Sequence, residues 1–326
     1  MKVKKYNDRK STIIIAVFAV IGLALVLITK AATNVANIDV GSTAVQPAVT
    51  FSDSSASGNT AVRFKVATTG GTGRNYPDHT NINATTFWVG EYFQAGADGS
   101  QACSAYVEDW IWNHFRLAHA VNCQIPNGMT GRAAGCDAKL ANENGRCDSE
   151  NSIGSLRTPA NGYFPTGLQQ VYENPFYLDL PYNDYGDSGG GFTTGYTTRC
   201  QDIPWANDPG YAGKCTNRSF SYMKNRWVKI WANGKTCYGQ IEDAGPADVE
   251  HGNGNYADRN YVFGSNDARP FNTSYNDAGM DISPALNACL GGTFNNDLNV
   301  NWEFVDDVGV PAGPWKTVIT TGGPTW

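Results

Sequence analysis

The chain has 326 residues, with 24 Lys+Arg against 30 Asp+Glu and a formal net charge of −6. Six of the basic groups and one acid lie in the first 30 residues, which leaves 18 basic against 29 acidic groups for the rest. That acidic body excludes nucleic acid and an anionic membrane surface as its partners. Eight cysteines without a Cys-x-x-Cys pair, and four scattered histidines, argue against a zinc site.

The first element is hydrophobic. Residues 12–29 carry no charge and follow MKVKKYNDRK, which holds five Lys/Arg and one Asp. Such a basic flank stays in the cytoplasm and sends the remainder outside. The stretch approaches the roughly 20 residues that span a bilayer, so residues 1–30 are read as a cytoplasmic tail and transmembrane signal anchor. The alternative is a cleaved signal with its exit at Ala31 or Ala32. Either way the protein belongs to the cell envelope, anchored with the main domain outside, or to the secreted fraction. In that oxidising setting an even cysteine count reads as four disulfides.

Residues 31–84 read as a β-rich stalk and linker. The run VTFSDSSASGNTAVRFKV resembles the opening strands of bacterial carbohydrate-binding jelly rolls, and residues 67–84 are turn-formers without periodicity. TTFWVGEYF at 85–93 reads as a strand. Around 101–120 the period becomes helical, with Val107, Ile111, Phe115 and Ala118 on one face. Residues 95–170 form a Gly-, Asn- and Cys-rich insertion. ENPFYLDLPYND then opens a compact region. In RWVKIWANGKTCYGQIED, two alternating strands flank Asn233-Gly234, which suits a tight hairpin turn. In MDISPALNACLGG, Ser283 is placed as N-cap, Pro284 at the first helical position and Gly291 at the stop. NVNWEFVDD alternates as a last strand, PAGPW closes the domain near 315, and 316–326 is a tail. The cysteines are expected to pair as sequence neighbours: Cys103–Cys123, Cys136–Cys147, Cys200–Cys215 and Cys237–Cys289.

The order of these pieces resembles a known family. A hairpin leading into E-D-A-G-P, followed by G-M-D-I-S-P-A and a helix, is similar to the double-psi β-barrel of the rare-lipoprotein-A-type lytic transglycosylases, a barrel shared with expansins and expansin-like endoglucanases. The closest match covers about 226–291. A looser one reaches back to 85, where FYLDLPYND and TTFWVGEYF look like family strands, and forward to about 315. The family's motif arginine is Ala244 here. The resemblance implies a mainly β fold, a double-psi β-barrel-like domain with disulfide-rich insertions preceded by an N-terminal transmembrane helix. It implies polysaccharide, with peptidoglycan first, as partner.

Glycosidic cleavage needs a carboxyl acid at the leaving oxygen, and inversion adds a second carboxylate that activates water. A transglycosylase manages with one. By resemblance Asp281 and Asp243 face the groove, and they are the expected catalytic pair. The enzyme reading expects both to open into one shared cleft, and burial of either would sink it. Asp281 precedes a helix N-terminus, which by itself would lower its pKa. Asp184, Asp187, Glu91, Tyr182 and Tyr185 are candidates for the groove rim. Trp227 and Trp231 share one strand face. Asp297, Asn299, Asn301 and Glu303 alternate with Leu298, Val300 and Trp302, which favours a half-buried strand over a calcium loop. Neither metal nor cofactor is required. Two other readings remain open: a non-catalytic, expansin-like carbohydrate-binding module, and a disulfide-rich surface adhesin.

Overall fold

The computed structural model describes residues 49–50, 65–66, 74–91, 101–116, 119–123, 157–165, 170–185, 193–247, 255–264, 276–293 and 297–325. The chain divides into two units, Met1–Gly70 and Gly71–Trp326. In the first, β1 (Val49–Thr50) pairs antiparallel with β2 (Lys65–Val66). The hydrophobic stretch 12–29 lies outside the described residues, among which no helix is long and apolar enough to cross a membrane.

The second unit is built on a closed six-stranded barrel. Its strands are β3 (His79–Thr86), β4 (Tyr177–Leu180), β6 (Trp227–Ala232), β7 (Lys235–Ala244), β9 (Ala278–Ile282) and β10 (Leu298–Phe304). They close in the order β10–β3–β9–β4–β7–β6. Two pairs are parallel, β3 with β9 and β4 with β7; the other four are antiparallel. Alternation turns Ile82, Ala84, Leu178, Leu180, Val228, Ile230, Ile241, Met280, Ile282 and Val300 into the core, all buried. Each large side chain buried this way contributes roughly 1.5–3 kcal/mol. A separate pair, β5 (Thr193–Thr194) with β8 (Asn255–Tyr256), runs parallel outside the barrel.

Local chemistry explains the best-defined elements. β6 and β7 meet at Asn233 and Gly234, both at positive φ (50° and 72°), the geometry expected of an Asn-Gly hairpin turn. Helix α4 (Pro284–Cys289) starts where Ser283 accepts a hydrogen bond from the Leu286 amide, and Gly291 follows at φ 77°. The Cys237–Cys289 disulfide ties α4 to β7, while Cys103–Cys123 and Cys200–Cys215 close loops. Cys136 and Cys147 lie outside the described residues.

Three expectations shift. The first barrel strand runs from His79 to Thr86, so 79–84 belongs to the barrel rather than to a linker, and the chain turns at Gly90; residues 92–93 lie outside the described residues. The helix near 101–120 shortens to α1 (Trp110–Phe115), with Ile111 and Phe115 buried and Arg116 ending it at φ 57°. The stretch 316–325 is no free tail: Thr320 is buried and its amide donates to Gln240 at 3.0 Å. Two further short helices, α2 (Arg199–Asp202) and α3 (Arg259–Val262), lie between β5 and β9.

Candidate active site

Strand register assembles a row of carboxylates across adjacent strands. Asp179 on β4 pairs with Asp281 on β9 and with Asp243 on β7. Simple alternation would not do this, because Asp243 shares parity with the inward Ile241. Between Leu178 and Asp179 the register with β7 shifts: Ile241 opposes Leu178 and Asp243 opposes Asp179, leaving Glu242 as an extra residue. That bulge turns Asp243 to the outer face of Asp179, the re-aiming such irregularities provide beside active sites. A second shift, between Asn83 and Ala84, sets Thr85 opposite Asp281. The Thr85 hydroxyl donates to Asp281 Oδ1.

The row is partly roofed. Tyr177, on the same outer face of β4, packs edge-on against Phe87, Trp110 and His114. The segment 101–106 closes over Asp179 and Asp243, which are 2% and 6% exposed. Asp243 Oδ1 accepts from the backbone amides of Ala105 (2.6 Å) and Ala244 (2.7 Å). The Gln101 side chain, with its nitrogen turned toward Asp243, donates to Oδ2 at 2.9 Å. Asp179 Oδ1 accepts from the Asp281 amide at 2.8 Å. The Gly245-Pro246 turn presses on the same carboxyl: a Cβ at Gly245 would stand 2.6 Å from Asp179 Oδ2. Asp281 alone of the three is partly exposed.

Burial pushes every member toward the protonated form, and like charges add to it at Asp179 and Asp281. Desolvation holds Asp179 well above the usual carboxylate range, with Asp281 and Asp243 adding repulsion. Burial raises Asp243 to about 7 against the opposing bonds from Ala105, Ala244 and Gln101. Burial, then the charges of Asp243 and Asp297, raise Asp281 to about 7. The lowering expected from the helix start is overturned, because burial and like charge outweigh a dipole that acts on Ser283 more directly than on Asp281. Glu242, the extra residue of the bulge, is also buried, which pushes it to about 8 despite Lys224.

The other predicted site residues sit elsewhere. Asp184 is fully buried and accepts from Ser221 Oγ (2.5 Å) and the amides of Tyr222 (2.6 Å) and Met223 (3.4 Å), with Arg199 at 3.7 Å. It holds the chain together and lines no rim. Tyr182 is also fully buried, donating to Asp202 at 2.8 Å and packing on Phe263, and Tyr185 is 9% exposed. These aromatics fill the core because pairs of this kind bury large apolar areas. Glu91 accepts from the Trp88 amide in a turn. Asp187 lies outside the described residues. Trp227 is buried and Trp231 half-buried beside Lys229. Glu303 pairs with Lys229 at 2.5 Å within a regular strand, as the alternating pattern implied.

Sequence reasoning passed over Asp179. The signal was present: one carboxylate in YLDL, a strand buried at every position. A lone charge in such a strand needs a partner or a purpose. Compared with protein families, curated proteins and solved structures, the chain matches none.

Proposed function

We propose that this chain acts on polysaccharide outside the cytoplasm, with peptidoglycan as the first substrate to try and Asp281 as its working acid/base. The observation that carries the reading is the carboxylate row, in which only Asp281 reaches solvent and is held near neutrality. A group at about 7 donates a proton to a leaving oxygen in mildly acidic or neutral medium and takes one back afterwards. The order of parallel and antiparallel strands around the barrel, with the EDAGP and GMDISPA segments on the two strands that flank β4, supports a double-psi arrangement.

Burial of Asp243 runs against the expected shared open cleft and so against the enzyme reading as first framed, above all against a two-carboxylate, water-activating route, in which the second group must reach solvent. With Asp243 covered by Ala105 and Gln101, one carboxyl serves as acid and then base, the pattern of a lytic transglycosylase. The same burial favours one alternative: an expansin-like module that holds glycan without cutting it. Incubating the purified protein with peptidoglycan sacculi and analysing products separates them. Anhydro-sugar ends that vanish in Asp281→Asn support the enzyme. Retention on sacculi without products supports the module, and neither retention nor products sinks both.

A further inference from the structure

The carboxylate row continues beyond Thr85 into a bed of amides. Asp297 directly precedes Leu298, whose partner on β3 is Ala84, so Asp297 stands across from Thr85 on the side away from Asp281. From there β3 and β10 run side by side with amides on their outer face. Asn83 pairs directly with Asn299, and alternation sets Asn83 one step, roughly 6.5–7 Å, from Thr85. These side chains are tied to one another. Asn83 Nδ2 donates to Asp297 Oδ2 (3.2 Å) and to the Asn276 carbonyl (2.9 Å), and Asn276 Nδ2 reaches the same Asp297 oxygen at 3.0 Å. One step further, Asn299 Nδ2 donates to Asn81 Oδ1 at 2.6 Å, and the Asn81 amide donates to Asn301 Oδ1 at 3.0 Å.

This composition runs against the strand it occupies. Asn is depleted in strands because it packs poorly on a pleated surface, yet Asn83, Asn299 and Asn301 lie on two paired strands; Asn81 has a backbone reason of its own, a positive φ of 58° where the ladder shifts register. A local rule broken repeatedly on one exposed face marks a place where something other than stability is specified.

We propose that Asn81, Asn83, Asn276, Asp297, Asn299 and Asn301 form a saccharide subsite that holds the stretch of glycan adjoining the bond presented to Asp281. The inference rests on the glycan reading above and adds where the chain lies. An amide carries donors and an acceptor, the match for hydroxyls that do the same, and the bed's internal bonds use only some of them: Asn83 spends its donors on Asn276 and Asp297 and keeps Oδ1 for a ligand hydroxyl. Because the side chains already hold one another, binding freezes few additional rotamers. One carboxylate among five amides disfavours a polyanion. The bed also meets Asp281 through Thr85 without a break, so one polymer spans both.

The test uses full-length protein carrying Asp281→Asn, so that glycan is not consumed, and three probes: chitohexaose, cellohexaose and purified peptidoglycan sacculi. Affinity is read by calorimetry for the oligosaccharides and by co-sedimentation for sacculi. Adding Asn83→Ala with Asn299→Ala should weaken binding of whichever probe the parent holds by roughly tenfold or more, the scale of one or two lost hydrogen bonds, at an unchanged melting temperature. If that double variant melts early, Asn299→Gln, which only adds a methylene to the bed, should still weaken binding. Unchanged affinity in folded variants overturns the subsite and leaves the glycan reading standing. A parent that binds none of the three probes overturns both.

Discussion

Two buried carboxylates a few residues apart in sequence have opposite surroundings. Asp184 sits in a cage of a hydroxyl, two backbone amides and the guanidinium of Arg199, itself 1% exposed and bonded to five carbonyls. Asp179 receives one amide and otherwise faces Asp243 and Asp281. Burial raises both, but the cage works against the rise and the row adds to it. What a buried charge is for is read from its partners: donors on every side hold a loop in place, and other acids store a proton.

The largest effect that tests this contrast is on folding. Asp184→Ala leaves Arg199 buried without its counter-charge, and removing one member of a buried pair costs about 3–5 kcal/mol. A fall in melting temperature on the order of 10 °C is expected, and a fall of only a degree or two would dissolve the distinction. Asp281→Asn should do the reverse, leaving the melting temperature equal or higher while reducing product formation by about 10²–10⁴-fold. Activity that survives it would remove Asp281 from the chemistry.

A smaller steric effect links the row to the turn above it. Gly245→Ala places a methyl against Asp179 Oδ2 and should cost about 1–3 kcal/mol. Combined with Asp179→Ala the penalty should shrink, because the obstructing carboxyl is gone; strict additivity in chemical denaturation would show that the two do not touch.

The smallest effect per step is the pH dependence. Asp243 and Asp281 have folded values near 7, above their ordinary 3.8. Between those limits the folded state binds more protons than the unfolded chain, so stability falls as pH rises. The stabilisation is fully present below about pH 4 and has been lost above about pH 7. Each group contributes at most about 1.4 kcal/mol per pH unit. Melting curves from pH 4 to 8 should therefore slope downward in the wild type and less steeply in Asp281→Asn. An equal slope in both would mean that Asp281 titrates normally.

Much of the fold was legible because it is written locally. Asn233-Gly234 and the Ser283-Pro284 start each specify their geometry within a few residues. The three described disulfides join sequence neighbours, and two of them, Cys103–Cys123 and Cys200–Cys215, lie where loops outnumber core-forming residues. The start of β3 was hidden because HTNIN is too polar to read as a strand, and it is polar because its outer face carries the amides beside Asp281. The placement of Asp243 beside Asp179 was hidden for a different reason. It depends on a register shift between strands far apart in sequence, which no periodicity within β7 reveals. Tyr182 and Tyr185 misled because an aromatic beside an acid looks the same from sequence whether it lies at a rim or in a core.

The two register shifts have a consequence for how such a site can change. A pleated wall offers only inward and outward positions, and closing the barrel claims every inward one. By admitting one unpaired residue in β7 and another in β9, the wall moves an aspartate from one class to the other without disturbing the apolar set that closes it. Reactivity here is thus governed by register as well as by identity: were Glu242 to pair with Asp179 instead of standing unpaired, every aspartate would remain in the chain and Asp243 would still turn away, opposite Leu180.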